Sequence, residues 1–298
     1  MPSGFSNRLK SSGQNVRWAH RQDAYVPTLR YSVFMKIAAV QLACTLGEVQ
    51  ANLNKIRDFC GRAKQEGVDL IVFPEAADTG YSMPVIREQA KPWTEGAVPA
   101  LQEMAKEFAL TIVSGVSERA GDCIYNSQVF IDPLGEIAAS YRKTHLFVLP
   151  PNDESTCYAP GDKFVSVAAG GFRFGLSICY DLRFPEVCRT LALEHGANVM
   201  LVSSAWPLPR AAHLRALAVA RAIENQSYLV LANRVGVDAG VVCCGTSAII
   251  DPSGVIIASA SDDREEMIVA DVSEEVVRSV RERMGVFEHR RTDLYGRQ

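Results

Sequence analysis

The chain has 298 residues, 48% of them hydrophobic and 22% charged, which is the balance of a folded globular protein and not of a disordered one. A formal net charge of −3 argues against a nucleic-acid partner, because phosphate backbones demand clustered Lys and Arg. No apolar run is long enough to span a bilayer, so no membrane segment is expected.

In chain order, residues 1–34 stand apart. Arg8, Lys10, Arg17, Arg21 and Arg30 face a single acid, Asp23, among several serines and without apolar periodicity. This composition predicts a disordered N-terminal extension; an organelle-targeting presequence is the alternative. From Met35 onward the pattern alternates. Lys36–Leu42 reads as a buried strand, and Val49–Gln65 as a helix with Leu53, Ile56, Phe59 and Cys60 on one face. Val68–Phe73 is the next strand, followed by a helix over Ala97–Ala109 and a strand over Leu110–Val116. Strand–helix–strand units of this kind predict a layered α/β architecture.

The middle becomes hairpin-like. Ser127–Ile131 and Glu136–Ser140 flank Asp132-Pro133-Leu134-Gly135, and Ser247–Ile250 and Val255–Ser259 flank Asp251-Pro252-Ser253-Gly254. In both turns Asp caps, Pro pre-sets φ and Gly relaxes the exit. Their similarity hints at a pseudo-symmetric pair of layers. Phe172–Ile178 is a strand running into Cys179. Helices are expected over Phe184–His195, Ala212–Asn225 and Ser273–Arg283, and strands over Ala197–Val202, Tyr228–Ala232 and Met267–Val272. No long Pro/Gly/Ser linker interrupts residues 35–298, which predicts one domain.

The eight cysteines are scattered, no C-x-x-C occurs, and the five histidines do not join cysteines at zinc-like spacings. No metal and no cofactor is expected, and the thiols point to a reducing, cytoplasmic setting.

Strand ends are where open α/β sheets place reactive groups. Glu75 follows VDLIVFP, Lys143 follows IAASYR, and Cys179 follows FRFGLSI. Singly, each has a structural reading as a helix cap, a surface charge or a buried thiol. Together they hold a nucleophile, a carboxylate able to move its proton, and a cation able to hold an oxyanion. The strand-to-turn junction SICYDLRFPE exposes the sulfur and aims following backbone N–H groups at the reacting atom.

The motifs FPE (73–75), YRKTHLF (141–147) and SICYDLRFPE (177–186), with WPLPRAAHLRALAVARAIENQ (206–226) and HRRTDLYG (289–296), resemble the nitrilase, or carbon–nitrogen hydrolase, superfamily. The resemblance runs from Met35 to the C-terminus. It implies a four-layer αββα sandwich, often a homodimer, acting on a small-molecule amide through a cysteine thioester. It implies Glu75 as general base, Lys143 as oxyanion stabiliser, Cys179 as nucleophile and the Tyr180 N–H as second oxyanion donor. Glu154, in an E-S dipeptide, would orient Lys143.

Tyr after the nucleophile resembles the amidase-type branches. The region of Trp206 and ANRVG (232–236) leans to ω-amidases, and HRRTDLYG to deaminated-glutathione amidases. An N-carbamoyl amidohydrolase is an alternative, as is a non-catalytic scaffold of the same fold. A substrate carboxylate would fall to Arg210 or Arg183, whose forks match that group and which otherwise serve as ion-pair partners. Arg221 and Glu224 are spaced to pair on one helical face, and His213 reads as a packing histidine. A Cys–His hydrolase using His145 or His213 is the rival mechanism, weakened by the lack of a recognisable third group.

Overall fold

The computed structural model describes residues 33–295. The expected disordered extension over 1–34 therefore lies outside the described residues except for Val33 and Phe34, and Phe34 already opens the first strand.

Two six-stranded sheets carry the structure. In the first, the parallel strands β1 (Phe34–Gln41), β2 (Leu70–Val72) and β3 (Thr111–Ala120) continue into the antiparallel β4 (Cys123–Ile131) and β5 (Ile137–Arg142). The second sheet opens with β6 (Ser166–Ala169), antiparallel to β7 (Phe172–Ile178). Strand β7 is parallel to β8 (Val199–Ser204), which is parallel to β9 (Tyr228–Asn233). A two-stranded ribbon of β10 (Val235–Asp238) and β11 (Val241–Cys244) precedes the antiparallel β12 (Ala248–Ile250) and β13 (Ile256–Ser259). The last strand, β14 (Glu266–Ser273), returns to the first sheet beside β1.

Each sheet is thus three parallel strands followed by an antiparallel hairpin, with one further antiparallel strand on the opposite edge. The hairpin turns match bond for bond. Asp132 Oδ1 accepts from the N–H groups of Leu134 and Glu136, and Asp251 Oδ1 from those of Ser253 and Val255. Gly135 and Gly254 leave the turns at φ 78° and 87°. The pseudo-symmetry expected from ten residues extends over the whole topology.

Parallel strands need crossovers, and helices supply them. Helices α1 (Val49–Gln65), α2 (Met83–Gln89) and α3 (Ala97–Phe108) serve the first sheet. Helices α4 (Pro185–Leu193) and α5 (Ala211–Asn225) serve the second, and α6 (Glu274–Arg283) follows β14. The period of two along the strands sorts the core into layers. Ala38, Val40, Ile71 and Phe73 pack with Leu53, Ile56, Leu101 and Met104 of α1 and α3. Their neighbours Ile37, Ala39, Leu70 and Val72 join Phe174, Leu176, Val202 and Leu229 of the second sheet, in a cluster that also takes Leu191 and Leu214 from α4 and α5. The order is helix, sheet, sheet, helix: the αββα sandwich.

Candidate active site

Three strands end at one place. Beyond β2, Phe73-Pro74 leads to Glu75; beyond β5 comes Lys143; beyond β7, Cys179 opens a short 3-10 turn to Arg183. The chain turns sharply enough at Glu75 that β3 must pass very close. A Cβ on Gly115 would stand 2.5 Å from the Pro74 carbonyl oxygen and 2.6 Å from the Glu75 Cα, so only glycine fits. Cys179 has φ 46°, a left-handed conformation rare outside glycine. A strained residue at a strand-to-turn junction aims its side chain out of the sheet.

The charged groups beneath the sulfur are fully enclosed. Glu75 and Glu154 are 0% exposed and Lys143 1%. The Lys143 Nζ lies 2.8 Å from Glu75 Oε1 and 2.9 Å from Glu154 Oε1. Ala205 N–H donates to Glu75 Oε2 at 2.9 Å, and Phe147 N–H to Glu154 Oε2 at 2.6 Å. Burial opposes the charge on Lys143, but Glu154 and Glu75 outweigh it and hold the ammonium well above the ordinary lysine range. Burial raises the Glu154 carboxyl, partly countered by Lys143. Burial, reinforced by Glu75 and countered by Lys143, pushes the Cys179 thiol well above its usual value, so the resting sulfur is protonated at neutral pH.

Cys179 is 8% exposed and opens into a cavity enclosing about 490 Å³, a size suited to a small molecule. Tyr180, Trp206 and Arg210 line it as well, together with Arg183, Phe147 and Asp238. Trp206 is fixed by its indole N–H donating to the Arg210 carbonyl at 2.8 Å. The Arg183 guanidinium lies 4.6 Å from the Trp206 ring centroid and that of Arg210 5.5 Å from Phe147. Neither arginine pairs with a carboxylate among the described residues, whereas Asp238 is paired with the buried Arg234 at 2.5 Å. The Tyr180 N–H belongs to the first turn of a 3-10 segment, where leading N–H groups have no intrahelical acceptor.

The structure thus gathers Glu75, Lys143, Glu154 and Cys179, four residues spread over more than a hundred positions. Sequence reasoning missed two neighbours. Asn126, on β4, donates its amide N–H groups to Glu75 Oε1 at 2.7 Å and to Glu154 Oε1 at 2.8 Å. Asp181, buried in the turn after Cys179, accepts from the Ile178 N–H (2.9 Å) and the Tyr141 hydroxyl (2.7 Å) and faces His145 Nδ1 at 3.0 Å. The only signal for Asn126 was an amide within the polar run Asn126-Ser127-Gln128 of a strand; for Asp181 it was an acid two residues beyond Cys179.

The histidine rivals fare differently. His145 is held by Asp181 and stacks on Phe184 with centroids 3.9 Å apart. His213 is exposed on α5, 3.5 Å from Arg183, and not the packing histidine expected from sequence. Neither lines the cavity of Cys179. Arg221 pairs with Glu224 at 3.0 Å, as its spacing implied, and its Nε donates to the Leu182 carbonyl, steadying the turn that follows Cys179 from α5.

Residues 36–282 match the family described as carbon-nitrogen hydrolase. A 2-oxoglutaramate amidase of Bacillus subtilis is 36% identical over 261 residues, covering 87% of this chain and 98% of that protein. The omega-amidase NIT3 of Saccharomyces cerevisiae is 32% identical, covering 88% of this chain and 94% of that protein. The crystal structure of Saccharomyces cerevisiae Nit3, described as a member of branch 10 of the nitrilase superfamily, superposes with a TM-score of 0.79 at 31% identity over 87% of this chain and 97% of that one.

Proposed function

The chain belongs to the carbon-nitrogen hydrolase family and hydrolyses amide C–N bonds, and from that premise we propose that its substrates are ω-amides carrying a free carboxylate, with 2-oxoglutaramate as the type. One observation carries the choice. Two arginines without acidic partners among the described residues, Arg183 and Arg210, line the same cavity as Cys179. A guanidinium fork in a partly desolvated pocket is suited to a carboxylate, and the aromatic rings of Trp206 and Phe147 hold the forks in place.

In this reading Cys179 Sγ attacks the amide carbon as its proton passes to Glu75. Glu75 Oε1 already accepts from Lys143 and Asn126, while among the described residues Oε2 accepts only from Ala205 N–H, so Oε2 has the lone pair for the thiol proton. Of the three N–H groups of the Lys143 ammonium two point at carboxylates; the third, with the Tyr180 N–H, receives the oxyanion. Glu75 returns the proton to the departing nitrogen, ammonia leaves and a thioester remains. Glu75 then takes a proton from water as it attacks, and the acid and the free thiol are released. Glu154 orients Lys143.

The same reading takes the protein as a homodimer in the cytoplasm, a reducing setting with which eight free cysteines are in keeping. No helix among the described residues is long and apolar enough to cross a membrane.

Ammonia release from 2-oxoglutaramate, glutaramate, deaminated glutathione and N-carbamoyl amino acids tests the proposal. Turnover is expected for 2-oxoglutaramate, and Arg183→Ala should raise KM by about tenfold to a hundredfold with a smaller effect on kcat, the mark of lost ground-state binding. Faster turnover of an uncharged amide would refute the carboxylate requirement. Carbon dioxide released with the ammonia would identify an N-carbamoyl amidohydrolase, and silence on every amide a non-catalytic scaffold.

A further inference from the structure

We propose that Asn126 is a positioning residue of the hydrolytic site, a neutral counterpart to Lys143 that holds Glu75 and Glu154 together and keeps both ready to act as anions. The inference rests on the reading of Glu75 as proton carrier. Its basis is a closed ring of four atoms. Glu75 Oε1 and Glu154 Oε1 each accept from Lys143 Nζ, at 2.8 and 2.9 Å, and each accept from Asn126 Nδ2, at 2.7 and 2.8 Å. The backbone carbonyl of Asn126 also accepts the Lys143 N–H at 2.8 Å, so one residue of β4 touches all three charged groups.

Electrostatics dictates which way the carboxamide faces. Turned end for end, its oxygen would point at two carboxylates; the nitrogen must lie between them. The cost of this choice is visible at the other end. Asn126 Oδ1 is buried and has no hydrogen-bond partner among the described residues. An asparagine retained for packing alone would satisfy both ends, because an orphaned buried acceptor costs about 1–3 kcal/mol. Here the oxygen is left unsatisfied so that both N–H groups can serve the carboxylates.

Two carboxylates around one ammonium carry a surplus negative charge. The other ionisable groups acting on the pair are the hydroxyls of Tyr81 and Tyr158, the thiols of Cys157, Cys179 and Cys243, and the Arg234 guanidinium. Among the described residues, only Lys143 and Asn126 donate to the shared oxygens. N–H donation favours the ionised form of a carboxylate. Without it the first proton binds more readily, and the base is silenced at a higher pH.

The test is the pH dependence of kcat/KM on 2-oxoglutaramate for wild type and Asn126→Ala, with Glu75→Gln and Cys179→Ala assayed alongside. The acid limb of N126A is expected to move up by about one pH unit and kcat to fall about 10–100-fold, with KM within about threefold, because Asn126 does not line the substrate cavity. Asn126→Ser, whose hydroxyl donates to one carboxylate at a time, should fall between the two. Melting temperatures report folding, and if N126A does not fold, N126S decides. An acid limb left in place in a folded variant overturns the proposal. Wild-type rates in E75Q or C179A would instead overturn the reading of the site on which it rests.

Discussion

At the scale of single residues the site is a set of charges with almost no exposed surface, set beside the cavity that Cys179 lines. Cys179 carries a left-handed backbone, a conformation that costs an L-residue about 1–2 kcal/mol. Cys179→Ala removes the sulfur but little packing, so it should abolish turnover while the melting temperature stays within a few degrees. The thiol itself is raised first by burial and then by Glu75. Glu75→Gln removes the anion, so the thiol should titrate at lower pH even as turnover falls by about a thousandfold or more. Alkylation of Cys179 by iodoacetamide, followed by mass spectrometry across pH, reads the first effect. A thiol in E75Q that titrates as in wild type would show that the carboxylate does not act on the sulfur. Lys143→Met strands two buried carboxylates, a loss of about 3–5 kcal/mol. Burial already raises Glu154, so it takes up a proton readily on acidification, and the deficit of the variant should shrink as pH falls and grow as it rises. Chemical denaturation of wild type and K143M at several pH values measures this, and a deficit independent of pH would contradict it.

At the scale of elements, Asp181 links the two motifs that supply Cys179 and Lys143. Its carboxylate ties the turn after β7 to Tyr141 and His145, which flank Lys143. Asp181→Asn keeps the shape but loses charge-assisted acceptance, and should cost about 1–3 kcal/mol of stability with a drop in kcat larger than the change in KM. Unchanged kinetics in a destabilised D181N would separate the turn from the chemistry. Gly115→Ala probes the opposite wall: the added Cβ collides with backbone at Pro74 and Glu75, so activity should fall sharply. Much of this layer was legible in the sequence. The long helix α1 showed its apolar face, the parallel strands showed their β-branched runs, and both D-P-x-G hairpins were found because Asp, Pro and Gly each have a turn-specific role. The ribbon β10–β11 was not. Its turn residues Ala239 and Gly240 have φ 47° and 85°, and alanine is a poor advertisement for a turn that needs positive φ twice. Asn126 was missed for a related reason. The strand was read from Ser127, whereas β4 begins at Cys123, and a polar side chain at an apparent strand start gives no hint that it faces two distant carboxylates. Glu75, Lys143 and Cys179 stood out at strand ends, where each alone also had a structural reading, and the resemblance of FPE, YRKTHLF and SICYDLRFPE to the superfamily is what marked them as a set.

At the scale of the whole molecule, neither half of the pseudo-symmetric fold holds a complete site. The first sheet supplies Glu75, Asn126 and Lys143, and the second supplies Cys179 and the Ala205 N–H that bonds Glu75. Chemistry therefore depends on how the sheets are registered against each other. Ser203 is the clearest pin. Its buried hydroxyl, on β8, donates to the Phe73 carbonyl two residues before Glu75 and accepts from Gln128 Nε2 on β4, each at 2.8 Å. Ser203→Ala leaves a buried carbonyl and a buried amide unsatisfied, which should cost about 1–3 kcal/mol. Because the lost bonds cross the layer immediately beneath Glu75, the proposed proton carrier, kcat should also fall while KM is largely kept, since a small displacement of a reacting group is expensive. The sheets share one hydrophobic cluster, so the destabilised variant should still unfold in a single transition by fluorescence and circular dichroism. A variant that loses stability but retains kcat would mean that the sheets are registered by apolar packing alone. Two separate transitions would mean that the halves fold as independent units, and a site divided between them would then need another explanation for its rigidity.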